Sequence, residues 1–286
     1  MPREVSERAR ALLAGEWQPP PVRDASTVVL LRDADMLETY LMRRAATMAF
    51  AAGMYVFPGG RIDDSDGDMD LPWTDVRVDP RRMTASDRQA RGLIVGAVRE
   101  VFEETGVLLA VDDSGRVPEE DDAWEDDRAA VAESSPALAQ VLARRGLRID
   151  PGLLPLWTHW VTPEVESKRY DVRFFVAAVP PGQRARDVSG EADQVVWTSP
   201  ATALGDYARG RLPMLPPTVA TLADLAALPD VATVLASAAD RDVRPLMPRP
   251  RVDDDGVIAW DVIDVRDGSV VVRLPAEPAG SEVAGA

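Results

Sequence analysis

The chain has 286 residues, is 46% hydrophobic, and carries 48 acidic against 32 basic side chains for a formal net charge of −16. That balance argues against a nucleic-acid backbone as partner. The lack of cysteine excludes thiol chemistry, and a single histidine, His159, excludes a multi-histidine zinc site. No apolar run approaches the roughly 18 residues that span a bilayer, and the charged stretch Met1 to Trp17 lacks a signal-peptide core. The expectation is a cytoplasmic protein with no membrane partner.

Residues 1 to 24 read as a short helix and a proline-rich connector through Pro19-Pro20-Pro21. Two strands follow, Thr27 to Arg32 and Thr39 to Arg43, around the turn-like Asp33-Ala34-Asp35. A third, Met54 to Phe57, runs into Pro58-Gly59-Gly60, where glycine permits positive φ and lets backbone carbonyls approach an ion or a phosphate. The stretch 61 to 85 holds Asp63, Asp64, Asp66, Asp68 and Asp70. It fails the spacing of a calcium loop, because Gly67 is misplaced and no glutamate closes it. It reads as a solvated acidic loop with Trp73 as an anchor.

A helix begins at Ser86, whose Ser-x-x-Gln run to Gln89 fits a capping box. Leu93, Ile94, Ala97, Val98, Val101 and Phe102 recur at helical spacing, and Gly106 stops the helix by adopting a left-handed conformation. Glu100, Glu103 and Glu104 stand at i, i+3 and i+4, so they share one face. Like charges so placed cost roughly a few tenths of a kcal/mol per pair. Such a face either meets water or receives a cation, and oxygen-only ligands suit a hard divalent ion such as magnesium. Arg99, four residues before Glu103, is within reach of a carboxylate it can orient.

Val107 to Val111 reads as a buried strand and 112 to 127 as an exposed acidic loop. Pro136 to Arg145 is a helix ended by Gly146. Leu153 to Trp157, Tyr170 to Val179 and Gln194 to Trp197 read as strands. Pro200 to Ala208, Pro216 to Ala227 and Val231 to Ala239 read as helices. Val257 to Val265 and Ser269 to Leu274 suggest a β-hairpin, and the last dozen residues read as disordered. Strands and helices that do not strictly alternate argue for an α/β sandwich. The expected organisation is an N-terminal segment 1–24, a main domain 25–240 and a C-terminal extension 241–286.

Strand, Gly-Gly loop and carboxylate helix together resemble the Nudix hydrolase superfamily, whose signature runs Gly-x5-Glu-x7-Arg-Glu-U-x-Glu-Glu-x-Gly-U, with U aliphatic. Arg99-Glu100-Val101-Phe102-Glu103-Glu104-Thr105-Gly106-Val107 matches the second half in full. The first half departs: Gly60 and Arg99 lie 39 positions apart, about 25 more than the signature allows. Counting forward from Gly60 lands on Asp66 and counting back from Arg99 lands on Arg91, and neither is given a role. The interrupted box is similar to the branch that includes the peroxisomal coenzyme A diphosphatase of animals. Arg43-Arg44-Ala45, Phe57 to Asp63, Ala97 to Leu109, Trp160-Val161-Thr162-Pro163 and Lys168 to Phe175 carry that likeness.

The resemblance implies an α/β/α sandwich with a mixed sheet, the box forming loop-helix-loop. It implies Mg2+ or Mn2+ held by Glu100, Glu103 and Glu104, and attack of water on a diphosphate in a nucleotide-containing small molecule. One of these glutamates, or Glu191 before the strand at 194–197, would act as general base, with Arg99 orienting a box glutamate. The carbonyls of Gly59 and Gly60 would touch metal or substrate. Arg43, Arg44 and Arg61, and a second basic group of Lys168, Arg169 and Arg173, would meet phosphates. Two basic clusters suit coenzyme A or acyl-coenzyme A, with its extra 3′-phosphate; ADP-ribose and NADH stay open. A domain that senses a nucleotide without hydrolysing it is the second reading. The insertion 61–85 is expected to leave and return near one point, docking through Leu71 and Trp73 beside the cleft to shape the pocket. Oligomeric state is left open.

Overall fold

The computed structural model describes residues 3–274 apart from 47, 49–50, 76–81, 85, 191 and 254–256. In chain order its elements begin with α1 (Arg3–Leu13), β1 (Val22–Asp33), β2 (Leu37–Arg44), β3 (Tyr55–Val56), β4 (Gly59–Arg61) and α2 (Asp87–Thr105). Next come α3 (Trp124–Glu133), α4 (Ala137–Arg145), β5 (Leu156–Val161), β6 (Arg169–Ala178) and β7 (Ala192–Thr198). The last are α5 (Pro200–Ala208), α6 (Pro216–Leu225), α7 (Val231–Ala238), β8 (Pro245–Val252), β9 (Ile258–Asp264) and β10 (Val270–Leu274). The α/β class with a mixed sheet, expected from the sequence, holds: most pairings are antiparallel, and β5 with β8 is parallel. No helix among the described residues is long and apolar enough to cross a membrane.

The chain divides into two compact units. The larger comprises 25–157 and 173–242, the smaller 1–24, 158–172 and the described residues from 243 onward. In the larger unit β1 pairs with β2 and β4, and β2 pairs with β3 and β7. Val28 to Leu31, on consecutive positions of β1, are all fully buried, as are Leu41 of β2, Val176 of β6 and Leu93, Val98 and Phe102 of α2. A strand covered on both faces loses the alternation of a half-exposed one, which is why β1 reads as an unbroken apolar run. In the smaller unit β8 pairs with β9 and β9 with β10. There Ala9 of α1 packs on Val165 and Ile258. His159 bonds the Asp171 carboxylate on the neighbouring strand, a structural setting for the lone histidine.

Three elements depart from expectation. Gly59 to Arg61 is not an open loop but a short strand paired with Ala25 to Thr27. Residues 107–110 are buried yet extended without ladder partners, and only Val111 makes a bridge, to Arg148. The Gln183 amide takes the partner's place: Leu108 N–H donates to its Oε1 at 2.8 Å and its Nε2 donates back to Leu108 O at 3.2 Å. The acidic stretch ends early, because α3 starts at Trp124, with Trp124 and Asp127 buried. The final dozen residues and Glu191 lie outside the described residues.

Candidate active site

The site grows from the C-terminal half of α2. Ser86 accepts from Gln89 N–H at the start of the helix, and Gly106, at φ 76, ends it. The last carbonyls of a helix lack intrahelical partners. Here Gly106 N–H takes Phe102 O at 2.9 Å, Arg128 Nη1 takes Glu103 O at 3.0 Å and Arg186 N–H takes Thr105 O at 3.1 Å. Trp124 Nε1 donates to Gly106 O at 2.7 Å. The turn that carries Glu103 and Glu104 is therefore fixed by donors from α3 and from the segment before β7.

Arg99 is the hub. It is 4% exposed, and a buried charge is tolerated only when paired and hydrogen-bonded. Its Nη1 reaches Glu100 Oε1 at 2.7 Å and Glu103 Oε1 at 3.2 Å. Its Nη2 reaches Asp66 Oδ2 at 3.0 Å and the Arg61 carbonyl at 3.1 Å. Burial works against its charge, but the carboxylates of Glu100, Asp66 and Glu103 outweigh it and hold the guanidinium above its ordinary pKa.

Asp66 is 1% exposed and also accepts Asp63 N–H at 2.9 Å. The solvated-loop expectation for 61–85 is thus corrected at its centre: Asp66 is an interior ion-pair partner. Two glycines make this possible. A Cβ on Gly96 would stand 2.3 Å from Ile62 Cδ1 and 3.3 Å from Asp66 Oδ2, and one on Gly92 would stand 3.3 Å from Gly67 N. The bare helix face lets the loop lie directly on it. Arg91 faces elsewhere, over the Trp73 ring at 5.0 Å. Leu71 is buried, and Pro72 O accepts Ile149 N–H at 2.8 Å, which ties the insertion to the segment before β5.

Gly59 and Gly60 meet the same helix. Gly59 N–H donates to Glu104 Oε2 at 2.7 Å. Gly59 has φ 147 and its Cβ would fall 2.2 Å from Ser26 O, so this position is reserved by the backbone of β1. A Cβ on Gly60 would fall 2.3 Å from Glu100 Oε2; the missing side chain is the space that the Glu100 carboxylate occupies.

Glu100, Glu103 and Glu104 line one side of a cavity of about 380 Å³. Arg128, Ala129, Ala132 and Glu133 of α3 form another, with Val188 and Ser189. Burial pushes Glu100 up to about 7, with Arg99 pulling the other way, and burial raises Glu103 as well. No group of three or more Asp, Glu, His or Cys among the described residues is gathered tightly enough to hold an ion as placed. Glu100 and Glu103 turn to Arg99, and Glu104 to Gly59. The donor set still fits a hard divalent cation: three carboxylates share one cavity, and burial leaves Glu100 short of compensating positive charge.

Arg43, Arg44, Arg61 and Arg173 do not line this cavity. Arg43 of β2 pairs with Asp193 at 2.5 Å, and Arg44 sits at the end of the same strand, next to Met54 O. Arg173 is 4% exposed and donates to Met83 O at 3.0 Å, so it braces the segment before α2 from within. Arg61 is nearest, with its carbonyl on Arg99 and its half-exposed guanidinium 3.3 Å from Asp63. Asp63 is held below the usual carboxylate range, first by the Ser135 hydroxyl. No described residue of the insertion lines the cavity. Sequence reasoning missed Asp66, α3 and Gln183. The one available signal was that Asp66 stands six positions after Gly60, where the signature has its first glutamate.

A family model described as the NUDT19 Nudix domain matches residues 78–225. The acyl-coenzyme A diphosphatase NUDT19 of Xenopus laevis is 28% identical over 221 residues, which cover 63% of this chain and 57% of that protein. The chain thus matches little more than half the length of that relative. The crystal structure of a Nudix hydrolase from Alicyclobacillus acidocaldarius superposes with a TM-score of 0.64 at 32% identity, covering 76% of this chain and 96% of that one.

Proposed function

The chain belongs to the Nudix family, in the group described by the NUDT19 Nudix domain, and from that premise we propose that it is a divalent-cation-dependent hydrolase. Its substrate in this reading is a nucleotide-containing small molecule with a diphosphate linkage, coenzyme A or acyl-coenzyme A first. The observation that carries it is the buried Arg99 hub, which sets Glu100 and Glu103 beside Glu104 on one cavity. The name of the Xenopus relative supports the substrate class; ADP-ribose and NADH are the alternatives.

Glu100, Glu103 and Glu104 would hold Mg2+ or Mn2+, which when bound neutralises phosphate charge and lowers the pKa of a water. Arg99 does not touch substrate; it fixes two of the three carboxylates by direct hydrogen bonds. One carboxylate among Glu103, Glu104 and Glu191 would take the proton of the attacking water. Arg61, half-exposed beside Asp63, would meet phosphate oxygens, as would Arg43 and Arg44. Gly59 and Gly60 keep the approach to Glu104 and Glu100 free of side chains.

The test is hydrolysis of coenzyme A, acyl-coenzyme A, ADP-ribose and NADH with Mg2+ or Mn2+. Activity is expected to vanish in excess chelator. Glu103→Gln and Glu104→Gln are each expected to lower kcat by at least about a hundredfold, with circular dichroism unchanged. Tight binding of these compounds without cleavage would overturn the reading in favour of a nucleotide sensor. Full turnover without divalent ions would remove the metal from it.

A further inference from the structure

The cavity has two walls of different origin. One is the glutamate face of α2. The other is a single turn of α3, which lies outside the signature segment and presents Ala129 and Ala132 on one face, three residues apart. We propose that this turn of α3 selects substrates by the bulk of the group attached to the diphosphate, with Ala132 and Ala129 as its specificity-determining residues. The inference rests on the hydrolase reading above and adds to it the part of the substrate that is discriminated.

Between Arg128 and Glu133 the wall is narrowed only by two alanines, and it cannot retreat. Their methyl side chains border the cavity and take up little of it. Behind them, α3 is tied down along its length. Trp124 is 2% exposed, donates to Gly106 O at 2.7 Å and meets the Phe102 ring edge-on at 5.6 Å. Arg128 bridges Glu103 O and the Glu125 carboxylate. Asp127 receives both Arg144 and Arg145 of α4, and Val131 is fully buried. A helix so fixed transmits added volume into the cavity rather than yielding to it. Ala132 is exposed and Ala129 half-buried, so substitution at either position leaves the core intact.

The same geometry separates α3 from the insertion as the source of selectivity. The described residues of 61–75 serve Arg99 and the Trp73 anchor and do not border the space.

The experiment compares steady-state kinetics of the full chain and its Ala132→Leu, Ala129→Leu and Ala132→Ser variants on coenzyme A and the more compact ADP-ribose. Both Leu variants are expected to lower the ratio of kcat/KM for coenzyme A over ADP-ribose by about tenfold or more, mainly through KM, because one mis-sized group in a pocket discriminates on that scale. Ala132→Ser should keep the wild-type ratio. An unchanged ratio in both folded Leu variants, or an equal loss on both substrates, overturns the proposal. Calorimetric Kd values for the two compounds are measured alongside. If the wild type cleaves neither, the hydrolase reading fails, and the wall is then judged by the Kd ratio alone. A ratio altered by Ala132→Leu supports it, and an unaltered ratio or no binding at all overturns it.

Discussion

A guanidinium with almost no access to water decides the chemistry of this site. Arg99 has to be matched by carboxylates, and it recruits them from two separate stretches of the chain: Asp66 within the insertion, Glu100 and Glu103 beside it on α2. Removing one partner of a buried pair leaves an uncompensated charge. Asp66→Asn is therefore expected to cost about 3 kcal/mol in urea unfolding and to lower activity although Asp66 does not line the cavity. A loss below about 0.5 kcal/mol would show that Arg99 does not depend on it. Glu100 gives a second prediction at this scale. Its pKa is raised by burial to about 7 from 4.5. With divalent ions removed, the folded chain keeps this proton at pH values where the unfolded chain has lost it. Stability from this group is thus fully present below about pH 4.5 and is lost as the pH rises through 7. The swing is up to about 3 kcal/mol. Glu100→Gln should flatten that part of the pH–stability curve in chelator; an unchanged slope would place the titration elsewhere.

Among the elements, adjacent glycines of β4 do different work. A methyl on Gly59 meets the carbonyl of β1, which cannot move, and adds a strained φ. Gly59→Ala is expected to destabilise by about 3 kcal/mol or more. A methyl on Gly60 first meets the carboxylate of Glu100, the far end of a side chain rather than backbone. Gly60→Ala should therefore displace that carboxylate, costing activity and divalent-ion affinity while the melting temperature changes by only a few degrees. If the two variants lose stability equally, the division of labour is wrong. The elements legible in the sequence are those whose pattern is local. α2 shows its cap, its apolar stripe and its terminal glycine, and α5 carries Ser199 and Pro200 at its start. Others depend on distant partners. α3 has no side-chain cap at Ala123 and is held by Trp124 and Arg128 reaching α2. β8 is disguised by Pro245, Pro248 and Pro250, which β-sheets seldom admit. Residues 107–110 carry the apolar run of a strand, but it is the Gln183 amide, 75 positions away, that bonds both backbone groups of Leu108.

For the molecule as a whole, the carboxylate face of the site was readable because helical spacing places Glu100, Glu103 and Glu104 together. Its complement was not, because Asp66 lies 33 positions from Arg99 and only the close packing of Gly92 and Gly96 brings it in. The partners of the arginines expected to meet phosphates were hidden for the same reason. Arg173 and Arg43 look free in sequence and are taken up by Met83 O and Asp193 once folded. What remains is a strongly anionic protein, at −16, proposed to act on an anionic substrate. Like charges slow encounter, and the effect is long-ranged at low salt, where the screening length is about 30 Å at 0.01 M against about 10 Å at 0.1 M. With saturating divalent ion held constant, raising monovalent salt from about 10 to about 100 mM is therefore expected to lower KM and raise kcat/KM several-fold while kcat stays level. A protein that steers anions through a basic surface would respond in the opposite direction. Steady-state kinetics across a sodium chloride series decides the matter. A KM that rises with salt would mean that local positive charge, from Arg61, Arg128 or the bound cation, overrides the net field at the cavity mouth.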